Sequence, residues 1–247
     1  MALKFSVLTL FPEMFDMLKT SIIGRAVEKG LIDVSCVNIR DFTKNKHRRV
    51  DDYPYGAGGG MVMQAQPIYD AYRSVAGDDR PLVIYMSPQG KVLNQKLARD
   101  LSREEHIILL CGHYEGVDER VLEEIVDMEV SIGDYVLTGG ELPAMVLIDC
   151  VSRMREGVLD SKETFETESH YDGLLEYPQY TRPPEFMGRT VPEVLLGGNH
   201  KDIESWRREK KLERTRKKRP DLLKKALLTK ADKEYLENFF DKIEKKP

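Results

Sequence analysis

Three loops rich in glycine and proline are the places where this chain could bind a small molecule. The strings SPQG (87–90), CGHYEGVD (111–118) and SIGDYVLTGGELPAM (131–145) lie at the ends of short apolar, strand-like runs. Glycine lets a ligand approach the backbone without a Cβ in the way, and loops that follow parallel strands meet at one edge of the sheet. Any single loop of this kind is typical of an ordinary connection. Three in series favour a backbone-lined ligand site.

Two basic clusters point to a second, larger partner. The string KNKHRR occupies residues 44–49, and RREKKLERTRKKR occupies residues 207–219. The whole chain carries a formal net charge of −4, so attraction to a phosphate backbone has to come from local patches such as these. The second cluster is equally well interpreted as a solvated helix face. The first lies in a long loop, residues 40–60, which is either a substrate contact or a flexible surface segment.

Composition and cysteine usage argue against several classes of protein. Cys36, Cys111 and Cys150 form no CxxC pair, and the five histidines show no zinc spacing, so we predict no structural metal and a reducing compartment. No apolar run approaches the length of a bilayer span. Residues 5–11 are predicted to form a strand rather than a signal sequence. We therefore expect a cytoplasmic protein with no membrane partner.

The order of the predicted elements is that of an α/β protein. A strand at residues 4–10, a helix at residues 12–29 and a strand at residues 33–39 have the spacing of a right-handed parallel crossover. Apolar residues at four-residue intervals support the helix, and Gly30 is its predicted stop. Strands and helices continue to alternate up to an apolar helix that begins at Pro143.

The composition changes after that helix, and three regions follow from the change. We predict an α/β cofactor-binding domain at residues 1–160 and a flexible linker at residues 161–177, which is polar and acidic and would become ordered on binding. Residues 178–247 are predicted to form a small helical domain that is basic along one edge. With 247 residues, the chain suits one large domain and a smaller one.

Several strings, taken together, resemble one known family. They are LFPEMF (10–15), SPQG (87–90), CGHYEG (111–116), SIGDYVL (131–137) with GGELP (139–143), YTRP (180–183) and GNH (198–200). In this order, and over essentially the full chain, they resemble the bacterial tRNA (guanine-N1)-methyltransferases of the SPOUT class, the TrmD family. The resemblance implies a SPOUT-type parallel sheet with a C-terminal trefoil knot, followed by a small helical domain.

The same resemblance implies an activity and its partners. S-adenosyl-L-methionine would bind in the knot and supply a methyl group to N1 of the guanosine at position 37 of tRNA, next to the anticodon. The protein would be an obligate homodimer in which both chains form each active site. The basic residues 207–219 would hold the anticodon arm through phosphates. The family also admits magnesium as a cofactor, although the spacing of the carboxylates does not itself indicate a metal site.

Individual roles follow from matching these strings residue by residue. The implied cofactor pocket consists of Pro88, Gly112, Tyr114, Glu115, Ile132, Gly133, Asp134, Tyr135, Val136, Leu137, Gly139, Gly140 and Pro143. Glu115 would stabilise the cationic sulfonium. Glu168, at a position where the family has aspartate, would remove the N1 proton as general base, and Arg153 would offset the charge that develops on O6. Asp172 is the alternative general base.

Two other functions stay open on the sequence alone. The first is a SPOUT enzyme that methylates a ribose hydroxyl or ribosomal RNA, and the string YTRP (180–183) and the acidic linker argue against it. The second is an RNA-binding module that keeps the fold without turnover. The presence of Glu115, Arg153 and Glu168 argues against that module.

Overall fold

A computed structural model of the chain describes residues 2–56, 59–77, 80–159, 165 and 167–244, the last six of them by their backbone course. Its contacts divide the chain into two compact units, Met1–Ser161 and Lys162–Pro247. Each unit has its own hydrophobic core. The two units are therefore described separately.

The first unit is built on a five-stranded parallel sheet. Its elements, in chain order, are β1 Leu3–Thr9, a 3-10 helix Pro12–Lys19, α1 Ser21–Glu28, β2 Ile32–Asn38, a 3-10 helix Ile39–Phe42, β3 Asp51–Asp52, β4 Val62–Met63, α2 Ala65–Ala76, β5 Leu82–Val92, α3 Gln95–Leu101, β6 His106–Cys111, α4 Glu119–Ile125, β7 Met128–Ser131 and α5 Glu141–Ser152. The strand order is β2-β1-β6-β5-β7, and every neighbouring pair is parallel. The predicted α/β class with a parallel sheet is confirmed.

Helices cover both faces of this sheet, because its central strands are apolar on both sides. Along β1, Phe5 belongs to a core formed with α1, α3 and α5, whereas Leu8 belongs to a core formed with α2 and α4. Successive strand residues point to opposite faces, and a parallel sheet buried on both faces requires continuous apolar strands. The carboxyl ends of β5, β6 and β7 are thereby fixed side by side.

The region predicted as one helix at residues 12–29 is two helices, and the prediction of a single helix is wrong. Thr20 is extended (φ −112°, ψ 167°) between the 3-10 helix and α1, and Ser21 has a positive φ of 59°. The chain turns back so tightly that a Cβ on Gly24 would lie 2.2 Å from the carbonyl oxygen of Lys19. The four-residue spacing of apolar residues continues across this break, and for that reason the pattern concealed it.

The second unit is mainly helical. Its elements are β8 Glu185–Phe186, β9 Arg189–Thr190, α6 Glu193–Leu196, α7 His200–Lys218, α8 Pro220–Leu223 and α9 Lys230–Glu244. Its small core contains Leu174, Leu212 and Leu236. Part of the expected linker, residues 161–164 and 166, lies outside the described residues. Its described remainder packs within this unit, since Leu174 is fully buried and the Leu175 N–H donates to Thr215 Oγ1 at 2.8 Å.

Several side chains of the basic run 207–219 are turned inward in this unit. Arg208 donates to Asp172 at 3.0 Å and to both oxygens of Asp232 at 3.0 and 2.8 Å, and Lys211 donates to Asp172 at 2.8 Å. The Arg208 guanidinium lowers the pKa of the Asp232 carboxyl to about 2. The run is therefore not a uniform phosphate-binding face, because part of its charge is used to hold α7 to its neighbours.

The three cysteines are free thiols. Burial raises the pKa of Cys36 to about 11, raises the pKa of Cys150 and raises that of the fully buried Cys111 well above its ordinary value. A thiol must ionise before it can act as a nucleophile or metal ligand. None of the three is thus suited to chemistry at neutral pH.

Candidate functional site

A cavity of about 330 Å³ opens at the carboxyl edge of the sheet. It is lined by residues 85–89 of β5, by residues from the loops after β6 and β7 and by the start of α5. Of the predicted cofactor residues it includes Pro88, Gly112, Tyr114, Glu115, Ile132, Gly133, Tyr135, Val136, Leu137, Gly139, Gly140 and Pro143. Asp134 is exposed and is not part of the lining. The three glycine-containing segments therefore enclose one space. The prediction that residues 87–90 form a loop after a strand is wrong, because β5 continues to Val92 and shifts its register against β7 between Met86 and Lys91.

Close backbone approach explains the glycines on the inner side of this cavity. A Cβ on Gly140 would lie 2.8 Å from the Cα of Cys111, and the Gly140 N–H donates to the Gly112 carbonyl at 2.9 Å. A Cβ on Gly112 would lie 2.7 Å from the hydroxyl of Tyr85. Burial raises the pKa of Tyr85 to about 12, so this wall presents a neutral phenol and main-chain groups.

The loop after β6 makes a strained turn at the mouth of the cavity. Tyr114 has a left-handed backbone conformation, with φ 59°, which is uncommon for residues other than glycine. The turn is closed by the Gly116 N–H, which donates to the His113 carbonyl at 3.1 Å. On its far side, the Glu115 N–H donates to the Met61 carbonyl at 3.0 Å. The carboxylate of Glu115 is exposed and packs against Gly60, where a Cβ would collide with it.

A buried carboxylate below this turn escaped the sequence analysis. Glu141, the first residue of α5, is 1% exposed, and its Oε1 accepts a 2.8 Å hydrogen bond from Thr9 Oγ1. Its Oε2 lies 3.4 Å from His113 Nε2. The only sequence signal for this group was a charged residue at the start of a mainly apolar helix. Its partners lie in distant parts of the sequence, so no local pattern could name them.

Comparison with known proteins decides the family. A family model described as tRNA (Guanine-1)-methyltransferase TrmD matches residues 3–225. The chain belongs to this TrmD family. The resemblance inferred from the short strings is therefore confirmed.

Similar proteins carry the same description over nearly their whole length. A tRNA (guanine-N(1)-)-methyltransferase of Ruminiclostridium cellulolyticum is 62% identical over 226 residues, which are 90% of this chain and 97% of that protein. One from Clostridium beijerinckii is 57% identical over 236 residues, covering 96% of this chain and 98% of the relative. One from Clostridium botulinum is 54% identical over 241 residues, covering 98% and 100%.

Arg153 and Glu168, the predicted electrostatic stabiliser and general base, lie in different units. Arg153 is the C-cap of α5 in the first unit, where its N–H donates to the Asp149 carbonyl at 3.2 Å. Glu168 lies in the second unit, where its N–H donates to the Phe165 carbonyl at 3.3 Å. Asp172 also lies there and accepts hydrogen bonds from Arg208 and Lys211.

The described part of the chain contains neither a metal-ligand cluster nor a membrane-spanning helix. Within residues 2–56, 59–77, 80–159, 165 and 167–244, no three His, Cys, Asp or Glu side chains group as ligands for a metal ion. In the same part of the chain, no helix has both the length and the apolar character needed to cross a membrane.

Proposed function

We propose that this TrmD family protein transfers a methyl group from S-adenosyl-L-methionine to N1 of the guanosine at position 37 of tRNA, next to the anticodon. The observation that carries the proposal is the cavity at the carboxyl edge of the sheet. Three segments of the chain that carry strings resembling the TrmD family line it together. The free thiols fit a reducing compartment, and we expect the protein to act in the cytoplasm.

The cavity suits a flat nucleoside with a short charged tail. Its inner wall of Gly112 and Gly140 lets an adenine ring lie against main-chain donors and acceptors. Ile132, Val136 and Leu137 supply apolar contacts in the same lining. S-adenosyl-L-methionine contributes a methyl group made electrophilic by its sulfonium, and the carboxylate of Glu115 at the cavity mouth would stabilise that positive charge.

Guanine N1 carries a proton and is a poor nucleophile until that proton leaves. We assign its removal to the carboxylate of Glu168, after which the N1 electron pair forms the new bond to carbon while the carbon–sulfur bond breaks. The guanidinium of Arg153 would offset the negative charge that develops on O6. Asp172 is the alternative candidate for the base, and its Oδ2 accepts hydrogen bonds from Arg208 and Lys211.

We further propose that two copies form a dimer with composite sites and that the first unit contains the SPOUT knot. Leu142 and Val146, one helical turn apart on α5, are 47% and 42% exposed, and an apolar helix face of this kind favours a protein partner. For the knot, the support is a close backbone approach. A Cβ on Gly90 would lie 2.4 Å from the backbone nitrogen of Val130. Gly90 belongs to β5 and Val130 to its neighbour β7, and the register of these two strands shifts between Met86 and Lys91.

The second unit is the proposed binding site for tRNA. Tyr180 is exposed and its ring lies 6.3 Å from that of Trp206, and Lys217 and Lys218 are exposed at the end of α7. Aromatic rings and basic side chains together suit an unpaired loop and its phosphates. Magnesium is commonly bound by one or two carboxylates together with water and phosphate oxygens, so a magnesium requirement here would draw ligands from the RNA as well.

Product mapping on tRNA transcripts tests the activity. With guanosine at position 37, mass spectrometry of the digested product should find N1-methylguanosine, and a transcript with adenosine there should gain no methyl group. A ribose-methylated product, or methylation of ribosomal RNA alone, would replace the proposal with another SPOUT reaction. Binding of the donor without any turnover would indicate an RNA-binding module.

Two substitutions test the assigned roles. Arg153→Ala and Glu168→Gln should each lower kcat by about 100-fold or more, because each removes a group that acts on the reacting base. Calorimetry should find S-adenosylhomocysteine binding nearly unchanged in both variants. Asp172→Asn is the matched control and should keep most of its kcat. If Arg153→Ala lost binding and turnover together, Arg153 would be structural, and if only Asp172→Asn lost turnover, Asp172 would be the base.

A further inference from the structure

Glu141 is a buried charged group that the proposed reaction does not use. Its carboxylate is 1% exposed, and burying a carboxylate costs several kcal/mol unless donors compensate it. Thr9 is one such donor. Its hydroxyl oxygen already accepts from the Phe11 N–H at 2.9 Å, so its proton is directed to Glu141 Oε1.

The other oxygen of Glu141 faces the loop that lines the cavity. His113 Nε2 lies 3.4 Å from Oε2, and because a carboxylate only accepts hydrogen bonds, this contact favours a proton on Nε2. The His113 ring is enclosed on its sides by aromatic rings, Phe11 at 4.9 Å and Tyr114 at 5.7 Å between centroids. The imidazole is therefore fixed in both place and orientation.

The turn that follows His113 needs an anchor of this kind. Tyr114 has a left-handed backbone, which is strained for a residue other than glycine and persists only where its surroundings hold it. On the far side, the Glu115 N–H is tied to the Met61 carbonyl and the Gly116 carbonyl to the Met63 N–H. On the near side, the turn is held to α5 by the contact between His113 and Glu141 and by the Gly140 N–H, which donates to the Gly112 carbonyl.

The glycine turn before α5 is fitted around the same pair. His113 and Gly139 form an isolated antiparallel bridge. A Cβ on Gly139 would lie 2.4 Å from His113 Nε2 and 2.5 Å from Glu141 Oε2. The pair thus joins the end of β1, the loop after β6 and the loop before α5, two of which line the cavity.

We propose that Glu141 is a positioning residue for the methyl donor, holding His113 and thereby the strained turn that presents Tyr114 and Glu115 to the cavity. The inference rests on the proposed function, because it takes the cavity as the donor site. The alternative is that Glu141 and His113 only add stability to the fold. If Glu141 positions the donor site, substitutions in this pair lower donor affinity whatever their effect on thermal stability. If the pair only stabilises the fold, donor affinity falls together with thermal stability in every variant.

The test is calorimetric titration of S-adenosylhomocysteine into the full chain and its variants, with thermal unfolding of each measured in parallel. Loss of the contact between Glu141 and His113 should raise the dissociation constant about tenfold in Glu141→Gln and in His113→Leu. His113→Gln keeps an N–H donor at a similar reach and should bind within about threefold of the unaltered chain. The double variant that combines Glu141→Gln and His113→Leu should bind S-adenosylhomocysteine no more weakly than the weaker-binding of the two single variants, because both substitutions break the same contact.

The matched control is a histidine at the other end of the same strand. Ser6 Oγ and His106 Nε2 are 2.9 Å apart, and His106 begins β6 whereas the cavity lies beyond its end. His106→Leu should therefore lower thermal stability and leave donor affinity unchanged. Affinity losses that follow thermal stability across all variants, His106→Leu included, would overturn the inference.

Other outcomes are equally decisive. Binding by Glu141→Gln and His113→Leu equal to that of the unaltered chain would refute the positioning role alone. Failure of the unaltered chain to bind S-adenosylhomocysteine would refute the proposed function itself. If Glu141→Gln does not fold, the comparison of His113→Leu with His113→Gln decides, because only the first loses the donor.

Discussion

The two units each bury a carboxylate, and they compensate it in different ways. Asp232 of the second unit is 5% exposed and accepts from two guanidinium nitrogens of Arg208 and from the Thr229 N–H. Glu141 of the first unit is buried more completely, and its partners among the described residues are a hydroxyl and an imidazole. Because Arg208 supplies a full opposite charge, Asp232 contributes to the stability of the second unit. Glu141 lies beside the cavity and its carboxylate is compensated more weakly, which suits a residue that serves ligand binding.

The largest effect on stability is expected when the better-compensated carboxylate is removed. Asp232→Ala leaves Arg208 partly buried without its bidentate partner and should lower the free energy of unfolding of the second unit by about 3 kcal/mol. Trp206 is the single tryptophan of the chain and lies in α7, so its fluorescence during urea denaturation reports on this unit. Donor affinity should not change.

The pair Arg219 and Asp221 provides the control for that substitution. It has the same chemistry, with a 2.7 Å contact, but both side chains are exposed. Exposed pairs contribute little because water and salt screen them, so Asp221→Ala should produce no measurable shift in the same denaturation curve. Equal losses from the two substitutions would mean that burial is not what distinguishes Asp232.

Acid should remove the contribution of Asp232 in a defined range of pH. Its pKa is about 2 in the folded chain, below the unfolded value of about 3.9, so the stabilisation is fully present above pH 4 and is lost as the pH falls towards 2. The difference in unfolding free energy between the unaltered chain and Asp232→Asn should shrink by about 2 kcal/mol over that range. A difference that stays constant from pH 5 to pH 2 would contradict this assignment.

A smaller effect is expected at the backbone wall of the cavity. Gly140→Ala places a methyl group 2.8 Å from the Cα of Cys111, so the two loops have to separate slightly, and affinity for S-adenosylhomocysteine should fall about tenfold. Gly197→Ala is the control, because its Cβ would meet nothing closer than 3.8 Å. Unchanged affinity in Gly140→Ala would show that this wall does not contact the donor.

The sequence was sufficient to predict what depends on local pattern. The parallel sheet follows from short apolar runs separated by helices, and the cavity follows from glycine loops at the ends of β6 and β7. Residues 87–90, predicted as a third such loop, are an irregular part of β5. The sequence could not indicate the break at Thr20, because apolar residues recur at four-residue intervals on both sides of it. The family strings, rather than periodicity, identified Arg153 and Glu168, and their roles stay predictions.

Pairing between distant residues was the part that no pattern could give. Thr9 and Glu141 are joined across most of the first unit, and nothing near either residue in the sequence marks the other. The basic run 207–219 shows the same limit, since its composition does not distinguish Arg208, which faces Asp232, from the exposed Lys217. Tertiary contacts decide which charges remain on the surface.

The shielded thiols have a practical consequence for following this protein in solution. With a pKa of about 11 for Cys36, roughly one molecule in ten thousand carries that thiolate at pH 7, and Cys111 is held further from ionisation. Maleimide dyes should therefore react slowly with the native cysteines. A single cysteine introduced at the exposed Met187 could then be labelled selectively, giving a fluorescent reporter of RNA docking on the second unit.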